Sequence, residues 1–337
     1  MSNTQTRVKI SIDLNLAGYQ YGELMLPWSD NSRPLGYHPT PLINIKNGDG
    51  KKILIIGGNH GDEFEGPSAI MRIANSIELN KINGQIILIP ALTFAAVQKS
   101  SRVNPLDNIN MNRAFPGNPN GTPTEMLAHF LESELIPSCD AVIDLHSGGK
   151  ASFFEPCALA TQSKNKDLFK SNLNLAEAFG IPLIFVLGKN NDDRSLNSAA
   201  ERANVAMIAA ELGGGGGVSP EITGIAEKGL INILNYLNIL KTKTFVNRAK
   251  IKKIELKNPN ATIHAPSKGL FDRVINAGQN VVAGQTAGWF HYIMEPDRPS
   301  FELKFKHDGF ILAHTNRGIV EKGEMLALVA NDVLSDA

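Results

Sequence analysis

Cysteine is scarce in this chain: Cys139 and Cys157 are the only two in 337 residues. Two cysteines cannot build a disulfide scaffold or a cysteine-based zinc site. Each sits among apolar neighbours, as a small buried hydrophobe would. An excess of charge is also missing, since lysine plus arginine and aspartate plus glutamate number 33 each. A balanced chain offers no bulk field for nucleic acid, and none is expected as a partner. No run of about 18 apolar residues occurs, so no membrane-spanning helix is expected. Residues 1 to 6 lack a charged stretch followed by an apolar one, so no secretory signal is expected. A soluble cytoplasmic protein is the default expectation, and a local basic pocket for an anionic small molecule stays open. The 42% hydrophobic content is enough for a sizeable core. Nothing fixes the oligomeric state, and a homo-oligomer is compatible with the sequence.

What is present is a series of apolar strands alternating with helical patterns. Residues 7 to 46 read as strands and loops broken by Pro27, Pro34, Pro39 and Pro41. Apolar strands follow at 53–56, 85–90, 141–146, 182–187 and 205–212. Helical spacing covers 68–79, 93–99, 124–135 (with Thr124 as its cap), 165–179, 195–204 and 220–240. Strands that are nearly all apolar, alternating with helices, predict an α/β domain. Its sheet is mixed but largely parallel and covered on both faces. Near Lys241 the composition changes to a lysine-rich linker over 241–258. Paired hairpin-like segments at 269–282 and 309–327 follow. The expectation is a catalytic domain over 1–245 and a smaller all-β sandwich over 246–337, similar to a lipoyl-type barrel. No lysine marks a hairpin tip for lipoyl or biotin, so no carrier role is expected.

The chemistry concentrates at strand ends. Gly57 to Pro67 is a glycine-rich turn after the strand 53–56, and it carries His60 and Glu63 three apart. His146 ends the strand 141–146. Catalytic zinc takes three ligands from histidine and carboxylate and keeps a fourth position open. His60, Glu63 and His146 fit that set, and parallel strands bring such ends to one edge. The plainer reading is two unrelated loop histidines, but two at strand ends plus a glutamate at ligand spacing favour a metal. Asp62 and Asp144 are candidate partners behind the ligands. The loop 101–123 is long, polar and rich in Asn, Pro and Gly, which suits function. In it, Arg113 presents a rigid fork for a substrate carboxylate, with Asn112 beside it. Arg102 is a candidate for polarising a carbonyl oxygen. The plainer reading of each arginine is a solvated or structural loop residue. Glu211 closes an apolar strand before five glycines; burial would raise its pKa into the range of a general base. Its plainer roles are a helix cap or an acceptor of loop N–H groups. His129, His264, His291, His307 and His314 are expected on the surface or in packing.

Together the motifs resemble the aspartoacylase and succinylglutamate desuccinylase family, relatives of the zinc carboxypeptidases. The carrying residues are His60-Gly-Asp-Glu63, Asn112-Arg113, His146 in Asp-Leu-His-Ser-Gly-Gly, and Glu211. The resemblance spans essentially the whole chain. It implies one Zn2+ per chain on His60, Glu63 and His146. It also implies Glu211 as the base, Arg102 on the scissile carbonyl, and Asn112 with Arg113 on the substrate carboxylate. The activity it implies is deacylation of an N-acyl amino acid. Within the family, the motifs look most like the branch that deacetylates N-α-acetyl-L-2,4-diaminobutyrate in ectoine breakdown. Other N-acyl amino acids such as N-acetylaspartate or N-succinylglutamate, a metallocarboxypeptidase, and an inactive ligand-binding module are the alternatives. Some relatives complete the pocket with a tyrosine from the β domain, for which Tyr292 is the counterpart considered.

Overall fold

Strand β4 (Lys52–Gly57) shows how the apolar runs are used. Successive side chains on a strand face opposite ways. Ile53 and Ile55 enter one core, with Ile70, Ile73, Phe179 and Leu230, while Leu54 and Ile56 enter a second, with Met126, Leu127 and Phe130. A strand packed on both faces must be apolar at every position, and this one is.

The computed structural model describes residues 5–188, 191–241 and 251–333. In chain order the first half comprises β1 (Lys9–Ile10), β2 (Gly18–Leu26), β3 (His38–Asn47), β4, α1 (Glu65–Ser76), β5 (Gly84–Ile89), α2 (Phe94–Lys99), α3 (Pro123–Phe130) and β6 (Ala141–His146). Next come β7 (Ser152–Phe154), β8 (Cys157–Thr161), α4 (Lys166–Phe179), β9 (Leu183–Leu187), α5 (Leu196–Arg202), β10 (Ala206–Glu211) and α6 (Pro220–Tyr236). Helices α1, α4 and α6 cover one face of the sheet, and α3 and α5 the other. Strands β5, β4, β6 and β10 are parallel neighbours. β8 then runs antiparallel to β10 and parallel to β9. This is the expected mixed, largely parallel α/β sheet. No helix among the described residues is long and apolar enough to cross a membrane.

The rest of the chain supplies β11 (Lys252–Glu255), β12 (Ile263–His264), β13 (Gly269–Arg273), β14 (Asn280–Val281), β15 (Thr286–His291), β16 (Phe301–Lys304), β17 (Gly309–Thr315), β18 (Ile319–Val320) and β19 (Met325–Asp332). β16, β15, β13 and β18 form a small antiparallel sheet. The remaining C-terminal strands continue the large sheet: β11 pairs with β9 on one side and β19 on the other, and β7 pairs with β17. The C-terminal region has its own small cores around Phe305 and Phe290. The domain boundary expected at 245/246 lies outside the described residues.

Some local expectations shift. Helix α3 is capped by Thr122 rather than Thr124, because Glu125 reaches back to accept the Thr122 N–H at 2.8 Å. Thr124 lies inside the helix, bonded to Asp107 at 2.7 and 2.9 Å, and so ties the long loop to the helix. Strands β7 and β8 were not foreseen, for their short mixed sequences carry no strong period. Cys139 and Cys157 are both free and buried, as expected.

Candidate metal centre and substrate pocket

The turn after β4 owes its path to glycine. A Cβ on Gly61 would stand 2.0 Å from the Ala96 backbone, so only glycine lets the turn lie against α2. That seating leaves His60 and Glu63 buried at 3% and 2% exposure. Strand β6 delivers His146 alongside them. The ligand atoms of His60, Glu63 and His146 all lie within 4.8 Å of one another.

The hydrogen bonds around these rings determine what they can hold. His60 Nε2 lies 3.0 Å from Asn110 Oδ1, and His146 Nε2 lies 2.7 Å from Asp144 Oδ2. Both oxygens are acceptors, so each Nε2 carries the proton. Each Nδ1 then points a lone pair at Glu63, at 2.8 Å from Oε1 and 2.9 Å from Oε2. Three acceptors converge on one spot. Either the imidazoles take up protons or a cation lies between them. The donor set, His-Glu-His with both outer nitrogens anchored, is one that suits zinc.

Period-two geometry explains Asp144. It sits two residues before His146 on β6, on the same face, and so reaches the same ring. Asn59 Nδ2 donates to Asp144 Oδ2 at 3.0 Å and steadies it from the β4 turn. Asp62 does not contact either histidine. Its Oδ2 accepts the Lys150 N–H at 3.0 Å and fastens the loop after His146. Asn110 was given no role by sequence reasoning. Its Oδ1 also accepts the Asn112 N–H at 2.9 Å. One amide oxygen thus orients a metal ligand and shapes the turn that carries Asn112 and Arg113. The Asn-x-Asn spacing, typical of a side chain closing a short turn, was the available signal.

The charges follow. Burial opposes a charge on Glu63, but the facing His60 and His146 outweigh it and hold the carboxyl well below its usual range. Burial likewise opposes an imidazolium at His146, yet Asp144 and Glu63 overcome it and raise its pKa well above the ordinary value. Glu211 behaves differently. It lies level with His146 on the adjacent parallel strand. Burial pushes it up to about 8, with His146 pulling down and Glu63 adding to the rise. Its Oε2 is buried with no hydrogen-bond partner among the described residues. The glycines after it do not serve as its donors; Gly213 to Gly216 all adopt positive φ and lay backbone against the His146 loop. Gly148 N–H donates to Gly213 O at 2.9 Å, and Gly215 N–H to Gly149 O at 2.7 Å.

All seven residues named from the sequence line one pocket of about 450 Å³: His60, Glu63, Arg102, Asn112, Arg113, His146 and Glu211. Arg102 Nη1 donates to Glu63 Oε1 at 3.4 Å. Asn112 Oδ1 accepts the Leu196 N–H at 2.8 Å, which leaves its NH2 group as the free, donating end. Arg113 Nε pairs with Asp192 Oδ2 at 3.0 Å. Tyr292 is not among the described residues that line the pocket. It packs against Phe290 and Phe301, with Arg298 over its ring. His314 is buried in packing and stacks on Phe153.

Residues 49–237 match the family model of the succinylglutamate desuccinylase/aspartoacylase catalytic domain. The chain is similar to N-alpha-acetyl-L-2,4-diaminobutyric acid deacetylase of Halomonas elongata, with 29% identity over 97% of this chain and 96% of that protein. Among solved structures, the succinylglutamate desuccinylase/aspartoacylase of Rhodobacter sphaeroides shares 32% identity at a TM-score of 0.91, covering 97% of this chain and 100% of that one. The product-bound ectoine utilization protein EutE (DoeB) of Ruegeria pomeroyi shares 30% identity at a TM-score of 0.93, covering 97% and 99%. With the model matched over more than half its length and these likenesses running nearly end to end, the chain belongs to the succinylglutamate desuccinylase/aspartoacylase family.

Proposed function

We propose that this chain is a zinc-dependent amidohydrolase that deacetylates N-α-acetyl-L-2,4-diaminobutyrate, giving L-2,4-diaminobutyrate and acetate, a step of ectoine breakdown. The observation that carries the proposal is the convergence of both Nδ1 lone pairs and the Glu63 carboxylate, beside Glu211, whose buried Oε2 has no hydrogen-bond partner among the described residues. His60, Glu63 and His146 would hold one zinc per chain. When bound, zinc polarises an acyl carbonyl and lowers the pKa of a water to roughly 7.

The chain's own groups supply the rest. Glu211 Oε2 takes the proton of the attacking water and passes it to the departing amine nitrogen. Arg102 lies beside Glu63, where its guanidinium faces the acyl oxygen as charge grows there. The Asn112 NH2 group and the Arg113 guanidinium hold the α-carboxylate.

Charge supports the substrate choice. Among the described lining residues the only Lys or Arg side chains are Arg102 and Arg113. With one at the carbonyl and one at the α-carboxylate, none is left to meet a second carboxylate. That favours a diaminobutyrate side chain over those of aspartate or glutamate. The names of the Halomonas and Ruegeria relatives point the same way. The test is a hydrolysis panel with matched metal analysis. It compares N-acetyl-diaminobutyrate, N-acetylaspartate, N-succinylglutamate and short peptides on zinc-loaded protein. Fastest release from N-acetyl-diaminobutyrate is expected. A preference for either diacid or for peptides would refute the substrate, and full activity without metal would refute the mechanism.

A further inference from the structure

Among the described residues, four carboxylates line the pocket: Asp62, Glu63, Asp192 and Glu211. Glu63 and Glu211 belong to the metal and proton chemistry, and Asp62 fastens the Lys150 loop. Asp192 lies on the segment leading into α5, and its surroundings are specific. Its Oδ2 accepts from Arg194 Nη2 at 2.9 Å and forms an ion pair with Arg113, whose Nε stands 3.0 Å away. Its Oδ1 accepts from the Arg194 backbone N–H at 2.9 Å and from Arg194 Nε at 3.0 Å. A carboxylate has about four acceptor sites. Arg194 fills three of them, and the charge on Oδ2 is shared with Arg113 at 3.0 Å, so Asp192 is committed to the two arginines rather than to a ligand.

Arg113 is held at a second point, where its Nη1 donates to Asn112 O at 2.6 Å. A guanidinium is planar and rigid, so two anchored nitrogens fix the direction of the third. The same two segments are joined twice more. Leu196 N–H donates to Asn112 Oδ1 at 2.8 Å, and Phe115 N–H donates to Arg194 O at 3.2 Å. The 112–115 turn is thereby fastened to the 192–196 segment along its length.

We propose that Asp192 is a positioning residue for substrate binding: its charge, ion-paired at Nε, steers the Arg113 guanidinium so that the Nη2 edge stays presented to the substrate α-carboxylate. This rests on the reading of Arg113 as the carboxylate anchor. Asp192→Asn keeps the shape and the Oδ1 acceptor and removes the charge. The experiment is calorimetry of zinc-loaded protein with three probes, alongside kinetics on N-acetyl-diaminobutyrate. L-2,4-Diaminobutyrate has every group, 1,3-diaminopropane lacks the carboxylate, and L-2-aminobutyrate lacks the side-chain ammonium.

Asp192→Asn is expected to weaken both amino acids about fivefold, the upper scale of one partly exposed ion pair, while 1,3-diaminopropane changes by less than about twofold. In turnover the loss falls on KM rather than kcat. A loss confined to diaminobutyrate would make Asp192 a contact for the ammonium and overturn the proposal. An equal loss with 1,3-diaminopropane would show a collapsed wall and overturn it too, as would no change at all. Arg113→Ala separates the two layers. If it weakens the amino acids and Asp192→Asn does not, only the positioning role fails. If Arg113→Ala itself leaves them unchanged, the anchor reading fails and takes the proposal with it.

Discussion

His146 and Arg113 line the same pocket, yet the His146 side chain is 7% exposed and that of Arg113 is 44% exposed. The difference runs through the whole site. One half is borne on strand ends and a buried turn: Asp144, His146 and Glu211 sit at the ends of β6 and β10, locked by ladder register and cores on both faces, and His60 and Glu63 sit on the turn after β4 that is seated against α2. The other half is borne on loops: Asn110, Asn112, Arg113 and Asp192 hold one another by hydrogen bonds and an ion pair. Rigid, buried elements suit groups that hold a metal or move a proton, where small displacements are costly. A solvent-facing loop suits a group that must admit and release a carboxylate. Order in the first half comes from burial, and in the second from a few polar contacts.

The comparison is broken or sharpened most strongly at Glu211. Glu211→Gln keeps the size and removes the base. We expect kcat to fall by about 10²–10⁴-fold, the usual contribution of a positioned acid–base group, with zinc content unchanged. Near-wild-type turnover with zinc bound would remove Glu211 from the reaction. Next come the two residues that orient the histidines. Asp144→Ala is expected to lower zinc affinity about 10–100-fold in chelator competition. Asn110→Ala acts on the loop side through a neutral amide. It should cost less in zinc affinity and add a rise in KM, since the same oxygen shapes the Asn112 turn. Equal zinc losses with no KM effect would erase the distinction between the halves.

Arg113→Lys keeps the charge and loses the fork. KM should rise about tenfold with kcat largely retained. Added salt should raise KM for wild type by a smaller factor, because Arg113 is exposed and screened while His60, Glu63 and His146 are buried. A salt effect on kcat instead would place the screened group among the residues that hold the metal or move the proton. The smallest effect is a proton count. In metal-free protein His146 has a raised pKa, so at neutral pH it keeps a proton that its Nδ1 must give up to bind zinc. Zinc loading should therefore release about one proton at neutral pH, and less once the pH exceeds the raised pKa. Calorimetry in buffers of different ionisation enthalpy reads this directly. Release that is absent at neutral pH would mean that His146 binds without losing one.

The strand half was legible early. A histidine or glutamate closing an all-apolar run stands out, because the core tolerates no charge before the strand ends. Asn112 and Arg113 were legible as a motif, but their partners were not. Nothing local marks Asp192 as the partner of Arg113, since the pair joins two segments that lie far apart in the chain. Asp62 and Asp144 looked alike as supports, and only Asp144 serves. The strand pleat sends Asp144 toward the ring, while the turn sends Asp62 to the Lys150 loop. Tyr292 was a candidate by position in the chain alone, and packing with Phe290 and Phe301 keeps it elsewhere.

By itself, the sequence determined the alternation of apolar strands and helices, and the residue types available at strand ends. Those follow from short-range periodicity and from the cost of burying charge. The tertiary structure alone decided which nitrogen of each histidine faces Glu63, that Glu211 stands level with His146, and that Arg113 is held by Asp192. Each depends on strand register or on two loops meeting across the fold, and no local pattern encodes such distances.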